Sequence, residues 1–197
     1  MKPRLPMRLS ALMMACGLCL HSLPLRAQED PYKLSVQVQQ NGSTFETRAS
    51  FQLPLSPCQA WSYITNYDAA THIPGVVSSK STRQPDGHVR VERELKETIL
   101  FFPIRMHTVL DFTETPAQST RFVQVEGETK SHQGSWQLEP AGEETVFHYQ
   151  AKSVPDTALP MPIIRYFLDK RLKSSFAAMA DHAAHQKDSI HCAKPVA

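Results

Sequence analysis

The 197-residue sequence predicts an α+β domain in which about six or seven antiparallel strands are covered by one long C-terminal helix. Three observations carry this. Apolar residues alternate with period two through most of residues 33–151. Turn signals such as Asn41-Gly42, Pro85-Asp86-Gly87 and Pro140-Ala141-Gly142 separate these runs by short intervals, as in a meander. From Pro160 the period changes: Ile164, Leu168, Leu172, Phe176, Met179 and Ala183 step by four, four, four, three and four.

The elements follow in order. Residues 33–39 alternate Leu34, Val36 and Val38, and Asn41-Gly42 turns the chain into 44–53, where Ala49, Phe51 and Leu53 share a face. This is a hairpin or one long bent strand. Ser56 and Pro57 suit the cap and first turn of a short helix over 58–65, with Ala60, Trp61 and Ile64 inward. A second short helix over 66–72 ends at Ile73-Pro74-Gly75. Strands are then expected at 76–83, 88–101, 104–112, 120–126, 132–139 and 145–151, with Pro103 breaking the chain between the second and third. The helix of 160–186 is the only element long enough to cover the apolar face of such a sheet.

The chain carries 21 Lys+Arg against 19 Asp+Glu, a net charge of +2 that gives no basis for nucleic-acid binding. That charge belongs to the N-terminus. Lys2, Arg4 and Arg8 precede an apolar run over residues 9–20, and Leu25-Arg26-Ala27 ends in a small residue, the order of a secretory signal cleaved near Ala27. The apolar run is too short for a membrane-spanning helix. Removing 27 of 197 residues leaves 170; the four basic residues lost with Arg26 reduce 21 to 17 against 19 acids, a net −2. Two of the four cysteines remain, Cys58 and Cys192. The expectation is a periplasmic or secreted single domain over 28–197, with its core at about 33–187 and a loose tail from 188.

Several segments resemble the START-like, helix-grip (SRPBCC) superfamily, in its polyketide cyclase/dehydrase and coenzyme Q-binding branch. They are Ser56-Pro57-Cys58-Gln59-Ala60-Trp61, Ile64-Thr65-Asn66-Tyr67-Asp68, Ile73-Pro74-Gly75-Val76, Gly134-Ser135-Trp136-Gln137-Leu138-Glu139-Pro140 and Val146-Phe147-His148-Tyr149. The order of elements over roughly 44–185 carries the resemblance further than any one motif. It implies a curved sheet gripping the long helix around an elongated cavity. It also implies a hydrophobic ligand such as a lipid, quinone or polyketide. The same superfamily holds carriers, enzymes and partner-binding modules, so fold leaves the role open.

The alternation nominates cavity residues. Val91, Arg93, Leu95 and Glu97 share one face of the long strand, so two charges lie among apolar neighbours. Either they are polar anchors inside a ligand cavity, or the strand bulges there or has its far end exposed. Trp61, Met106, Thr108, Trp136, Phe147 and Tyr149, with Ile164, Phe167, Leu168 and Arg171 on the helix, suit cavity lining or plain core equally. The proline-rich stretch 153–162 reads as a gate, a membrane-touching lip or a stiff connector. In an exported chain the two remaining cysteines suggest one structural disulfide, Cys58–Cys192. His182, His185, His191 and Cys192 match no established metal-site spacing, and no metal or cofactor is assigned. No nucleophile motif or phosphate loop is present.

The functional expectation is a monomeric carrier or chaperone for a hydrophobic small molecule, with transient membrane contact. Arg93 would orient the ligand's polar group. The alternatives are a cyclase/dehydrase-type enzyme, with Glu97 or Tyr149 as acid or base, and a ligand-free interaction module.

Overall fold

The computed structural model describes residues 30–99 and 101–192; the expected export signal lies outside them. Eight strands form one antiparallel sheet: β1 (Ser35–Asn41), β2 (Thr44–Leu53), β3 (Val76–Arg83), β4 (Val89–Ile99), β5 (Phe102–Thr115), β6 (Ser119–Gly127), β7 (Thr129–Ala141) and β8 (Glu144–Pro155), in the order β1-β2-β8-β7-β6-β5-β4-β3. Helix α1 (Pro57–Thr65) and a short 3₁₀ helix (Tyr67–His72) bridge β2 to β3, and α2 (Met161–His185) closes the chain. Among the described residues no helix is long and apolar enough to cross a membrane.

The sheet has one more strand than the upper expected count. Residues 33–53 form a true hairpin, with Asn41 opposite Thr44, so the short helices follow the second strand and not the first. Pro103 does not break the chain: it lies within β5, opposite Thr98, and the turn falls just before Phe102.

The alternation read from sequence is the alternation of the sheet. Phe45, Thr47, Ala49, Phe51 and Leu53 of β2 are buried, and their register partners on β8 include Phe147, Tyr149 and Ala151. On the other limb Val89, Val91, Leu110, Phe112 and Phe122 form a second buried cluster with Tyr67 and Ala151. Helix α2 packs most closely on β1 and β2. Its fully buried Ala180 and Ala183 pack with Phe51, Leu53 and Ala60, while Ile164 lies against Val38 and Phe45. Small residues at these positions let the helix approach closely, as close packing of an interior demands.

Helix α1 begins with a capping box: Ser56 Oγ accepts from the Gln59 amide at 3.3 Å, and Gln59 Oε1 accepts from the Ser56 amide at 3.1 Å. The Gln59 side-chain amide also donates to the carbonyls of Lys187 and Ile190. Cys58 and Cys192 are joined in a disulfide, with their Cα atoms 5.3 Å apart. The segment expected to be loose from residue 188 is therefore held against α1 as far as Cys192. Polar composition pointed to a free tail, but two hydrogen bonds and a covalent link override it. Leu159 and Met161, in the stretch 153–162, pack against the Val38–Phe45–Ile164 cluster, which fits a connector better than a free lip.

The disulfide spans 134 residues of sequence, and long loops gain most from closure in the chain-entropy account. A Cys58→Ser/Cys192→Ser double variant is expected to lose about 2–4 kcal/mol of unfolding free energy. Denaturant unfolding with and without reductant checks this; an unmoved midpoint would show that the link adds nothing.

Candidate functional site

The β1–β2–β8 limb lies under α2, whereas the β3–β4–β5 limb stands away from it. The gap is an internal cavity of about 270 Å³, close to the lower end of the ~300–1,000 Å³ usual for small-ligand sites. Its walls are mostly apolar and aromatic: Tyr67, Leu95, Leu110, Phe112, Phe122, Trp136, Tyr149, Leu172, Phe176 and Met179. Three wider hollows lie elsewhere on the sheet: two of about 450 and 500 Å³ lined mainly by outward polar side chains such as Glu46, Arg48, Gln133, Gln150 and Lys152, and one of about 340 Å³ lined by Glu94, Lys96, Arg105, His107 and Glu128 beside Val77, Leu95 and Met106. Chemistry favours the cavity under α2 as the site, because there aromatic and apolar walls surround a few polar groups.

One charge lies within it. Arg93 points inward from β4, opposite Thr108 on β5 and Ser79 on β3. Its Nε donates to Ser79 Oγ at 3.1 Å, and Ser79 in turn donates to the Tyr67 carbonyl at 2.6 Å. This relay fixes one edge of the guanidinium. Among the described residues no carboxylate pairs with Arg93. Burial holds its pKa below the ordinary arginine value, yet a guanidinium keeps its proton in proteins.

The neighbouring polar groups are also short of partners. Thr108 Oγ1 and His132 Nδ1 are buried without a hydrogen bond. Burial, and then the Arg93 charge, push the His132 pKa down to about 4, so the imidazole is neutral at pH 7. Burial raises the Tyr149 pKa, with Arg93 pulling the other way. Tyr67 is committed elsewhere: its hydroxyl donates to Glu114 at 3.0 Å, and Glu114 accepts from Arg83 at 2.9 Å.

One edge of the site is closed by ionic contact. Arg171 of α2 donates through Nε to Glu97 of β4 at 2.5 Å, and its Nη2 also contacts that carboxylate. Gly75 lies directly over the pair: at φ +83° a side chain there would be strained, and a Cβ would overlap both the Glu97 carboxylate and the Arg171 guanidinium. At another edge, Tyr63 hydroxyl donates to the Met179 carbonyl at 2.9 Å and contacts His72 Nε2 at 2.9 Å. His72 stacks on His182 with ring centroids 3.8 Å apart.

Of the residues nominated from sequence, Arg93, Leu95, Thr108, Trp136 and Tyr149 meet in the cavity. Val91 and Phe147 are closed core, Phe147 stacked on Phe51 at 5.0 Å. Trp61 packs beside that core, outside the lining. Met106 pairs with Leu95 in register but lies beyond the cavity wall. Glu97 and Arg171 form the ion pair and do not line the void. Ile164 and Leu168 belong to the cluster around Phe45, and Phe167 is half-buried outside the lining. Sequence reasoning missed Tyr63, Tyr67, His72, Phe122, His132, Leu172, Phe176 and Met179. Phe122 and His132 were readable from strand alternation, and Leu172, Phe176 and Met179 already stood in the helical stripe. Tyr63, Tyr67 and His72 come from short helices whose facing no period reveals. Among the described residues no three metal-ligating side chains converge; His185 Nδ1 donates to the Asp181 carbonyl at 2.7 Å and Cys192 is bridged.

The family model described as polyketide cyclase / dehydrase and lipid transport matches residues 53–180. The chain belongs to that family. No curated protein matches it by sequence. Among solved structures, a STAR-related lipid transfer protein from Xanthomonas axonopodis is 14% identical with a TM-score of 0.61, over 78% of this chain and 99% of that one. The Zhui aromatase/cyclase from Streptomyces sp. R1128 is 10% identical with a TM-score of 0.58, over 73% and 95%. A START superfamily protein from Mycobacterium smegmatis is 10% identical with a TM-score of 0.57, over 74% and 99%. At these identities the likeness is one of fold: the helix-grip sheet around a long C-terminal helix.

His132 generates a pH prediction. Its folded pKa lies below the unfolded value of about 6.5, so the unfolded chain takes up a proton first as pH falls. Stability is expected to drop between about pH 6.5 and 4 by up to about 3 kcal/mol from this residue and to level below that window. Urea unfolding at pH 7 and 4.5 should show a smaller acid loss in His132→Phe; equal losses would mean the imidazole is not buried neutral.

Proposed function

We propose that the chain is an exported, monomeric carrier or chaperone that holds a hydrophobic small molecule in this cavity, and that it is not a catalyst. The observation that carries the reading is an aromatic-walled cavity with polar groups that the protein itself leaves unpartnered. Transfer of apolar ligand surface from water to such walls is favourable by about 25 cal/mol per Å² before the costs of association. The basic and apolar N-terminus supports export, and a disulfide between the only two cysteines beyond it fits an oxidising compartment. A cavity of about 270 Å³ suits a compact amphiphile, such as a single-chain lipid or a quinone or polyketide ring system, better than a two-chain phospholipid.

The carrier role is favoured over catalysis by the state of the candidate acids and bases. Glu97 is held in its ion pair with Arg171. The Tyr149 phenol has a raised pKa and stays protonated at neutral pH, and His132, with a pKa of about 4, is a weak base.

Mature protein purified from its native compartment is expected to release a co-purifying amphiphile on solvent extraction, detected by native mass spectrometry. An empty protein that also ignores a panel of fatty acids, quinones and aromatic polyketides would overturn the reading.

Transient membrane contact finds support at the β4–β5 turn, where Phe101 is 91% exposed and Phe102 65% exposed. Lys96 and Arg105 stand opposite each other just behind them. Like charges in direct register cost stability, and here they suit an anionic lipid surface. Phe101→Ser/Phe102→Ser is expected to abolish flotation with phosphatidylglycerol vesicles while leaving the melting temperature unchanged; undiminished flotation would remove the turn's role.

A further inference from the structure

We infer that the ligand of this cavity is a monoanion: an oxyacid head, of carboxylate size, seated on Arg93 and Thr108, with its apolar body against Trp136, Tyr149 and Phe176. The inference rests on the carrier reading and narrows its ligand class.

The argument is one of charge balance. A charge withdrawn from water is costly unless it is paired. Surface ion pairs elsewhere in this chain are numerous: Arg83 with Glu114, Arg90 with Asp111, Lys152 with Glu46. Arg93, half-buried and turned into the cavity, forms none. Nor can it escape by losing its proton. Ser79 occupies Nε alone, so the outer edge of the fork, the edge built for two carboxylate oxygens, is left for the void.

Arg93 is not alone in lacking a partner. Thr108, its register neighbour on β5, buries Oγ1 with no hydrogen bond, so a hydroxyl donor stands beside the guanidinium donors. Two adjacent donor groups without acceptors complement one anionic head. A neutral ester, ketone or alcohol would accept hydrogen bonds there but would leave the positive charge uncompensated.

The count of charges sets the valence. Other arginines and lysines near the cavity are committed or turned outward: Arg171 is tied to Glu97, and Lys96 and Arg105 lie on the outer face of the hairpin. His132 is held neutral and adds no second charge. One net positive charge in an otherwise apolar site calls for one negative charge. That fits a carboxylate, and it disfavours a phosphate monoester, which carries nearly two charges at neutral pH.

The test uses two probes with the same twelve-carbon acyl chain, one anionic and one neutral: dodecanoate and its methyl ester. Both are titrated into delipidated mature protein at pH 8, with tryptophan fluorescence (Trp61 and Trp136) as the readout and calorimetry as confirmation. Charge-assisted hydrogen bonds are about twice as strong as neutral ones, so dodecanoate is expected to bind at least about tenfold more tightly than its ester. Arg93→Met should weaken dodecanoate at least about fivefold more than the ester and so remove most of its preference, and Arg93→Lys should retain most of that preference. Arg93→Met is expected to melt at or above the wild-type temperature, because it removes an unpaired enclosed charge, so lost binding cannot be ascribed to misfolding. Equal affinity for the two probes, or equal weakening of both by Arg93→Met, overturns the monoanion inference and leaves the carrier reading standing. Binding of neither probe, nor of any neutral amphiphile, overturns both.

Discussion

An eight-stranded antiparallel sheet presents more apolar inner face than one helix can cover. Strand twist curves the sheet, and α2 must choose which limb to pack against. It lies on β1 and β2, where Ala180 and Ala183 let it sink onto Phe51 and Leu53. The opposite limb is then left without a cover. There the inner face is closed by side chains reaching across: Tyr67 from the 3₁₀ helix, Trp136 and Tyr149 from the sheet, and the Glu97–Arg171 pair at the rim. The cavity follows from this asymmetry and needs no special cavity-forming motif.

Such a void lacks the dispersion contacts that close packing would supply. Arg93 adds a second cost, a cation removed from bulk water without a protein counter-charge. Both costs lie in the same place, and neither helps the domain to fold. Function is the usual reason for such a concentration of unmet interactions. A ligand with an anionic head and an apolar body would satisfy both at once. Outside the cavity lining, His88 Nε2 and Thr120 Oγ1 are also buried without a hydrogen bond. The capping box at Ser56 and Gln59, the buried Thr145 hydroxyl donating to the Leu55 carbonyl at 2.8 Å, and the disulfide holding Cys192 to α1 all fix α1 on the sheet and the C-terminal segment on α1.

Much of this architecture was legible along the chain. Period-two alternation placed Arg93, Leu95, Thr108, Trp136 and Tyr149 on one face, and the structure brings those five to one cavity. Alternation alone could not separate lining from core. Phe147 and Tyr149 share a face of β8, yet Phe147 is sealed against Phe51 while Tyr149, packed against Trp136 and Phe176, borders the void. Glu97 also shares the face of Arg93, but Arg171 reaches it from a helix 74 residues away, a pairing no local pattern encodes. The first hairpin read as one bent strand or two, since Asn41-Gly42 fits either until pairing is seen.

The sequence by itself determined the elements, their order, the family and the inward set of each strand. These rest on local periodicity and turn chemistry, which act over a few residues. Only the tertiary structure decided where the sheet parts from the helix, which of the inward charges is paired, and that residues 186–192 are docked and not free. Those are outcomes of curvature and of contacts between segments far apart in sequence. The same arginine side chain is an ion-pair partner or an unpaired anchor according to what the fold sets opposite it. At Arg171 the fold sets a carboxylate. At Arg93 it sets an apolar cavity, and that difference is where the function is to be sought.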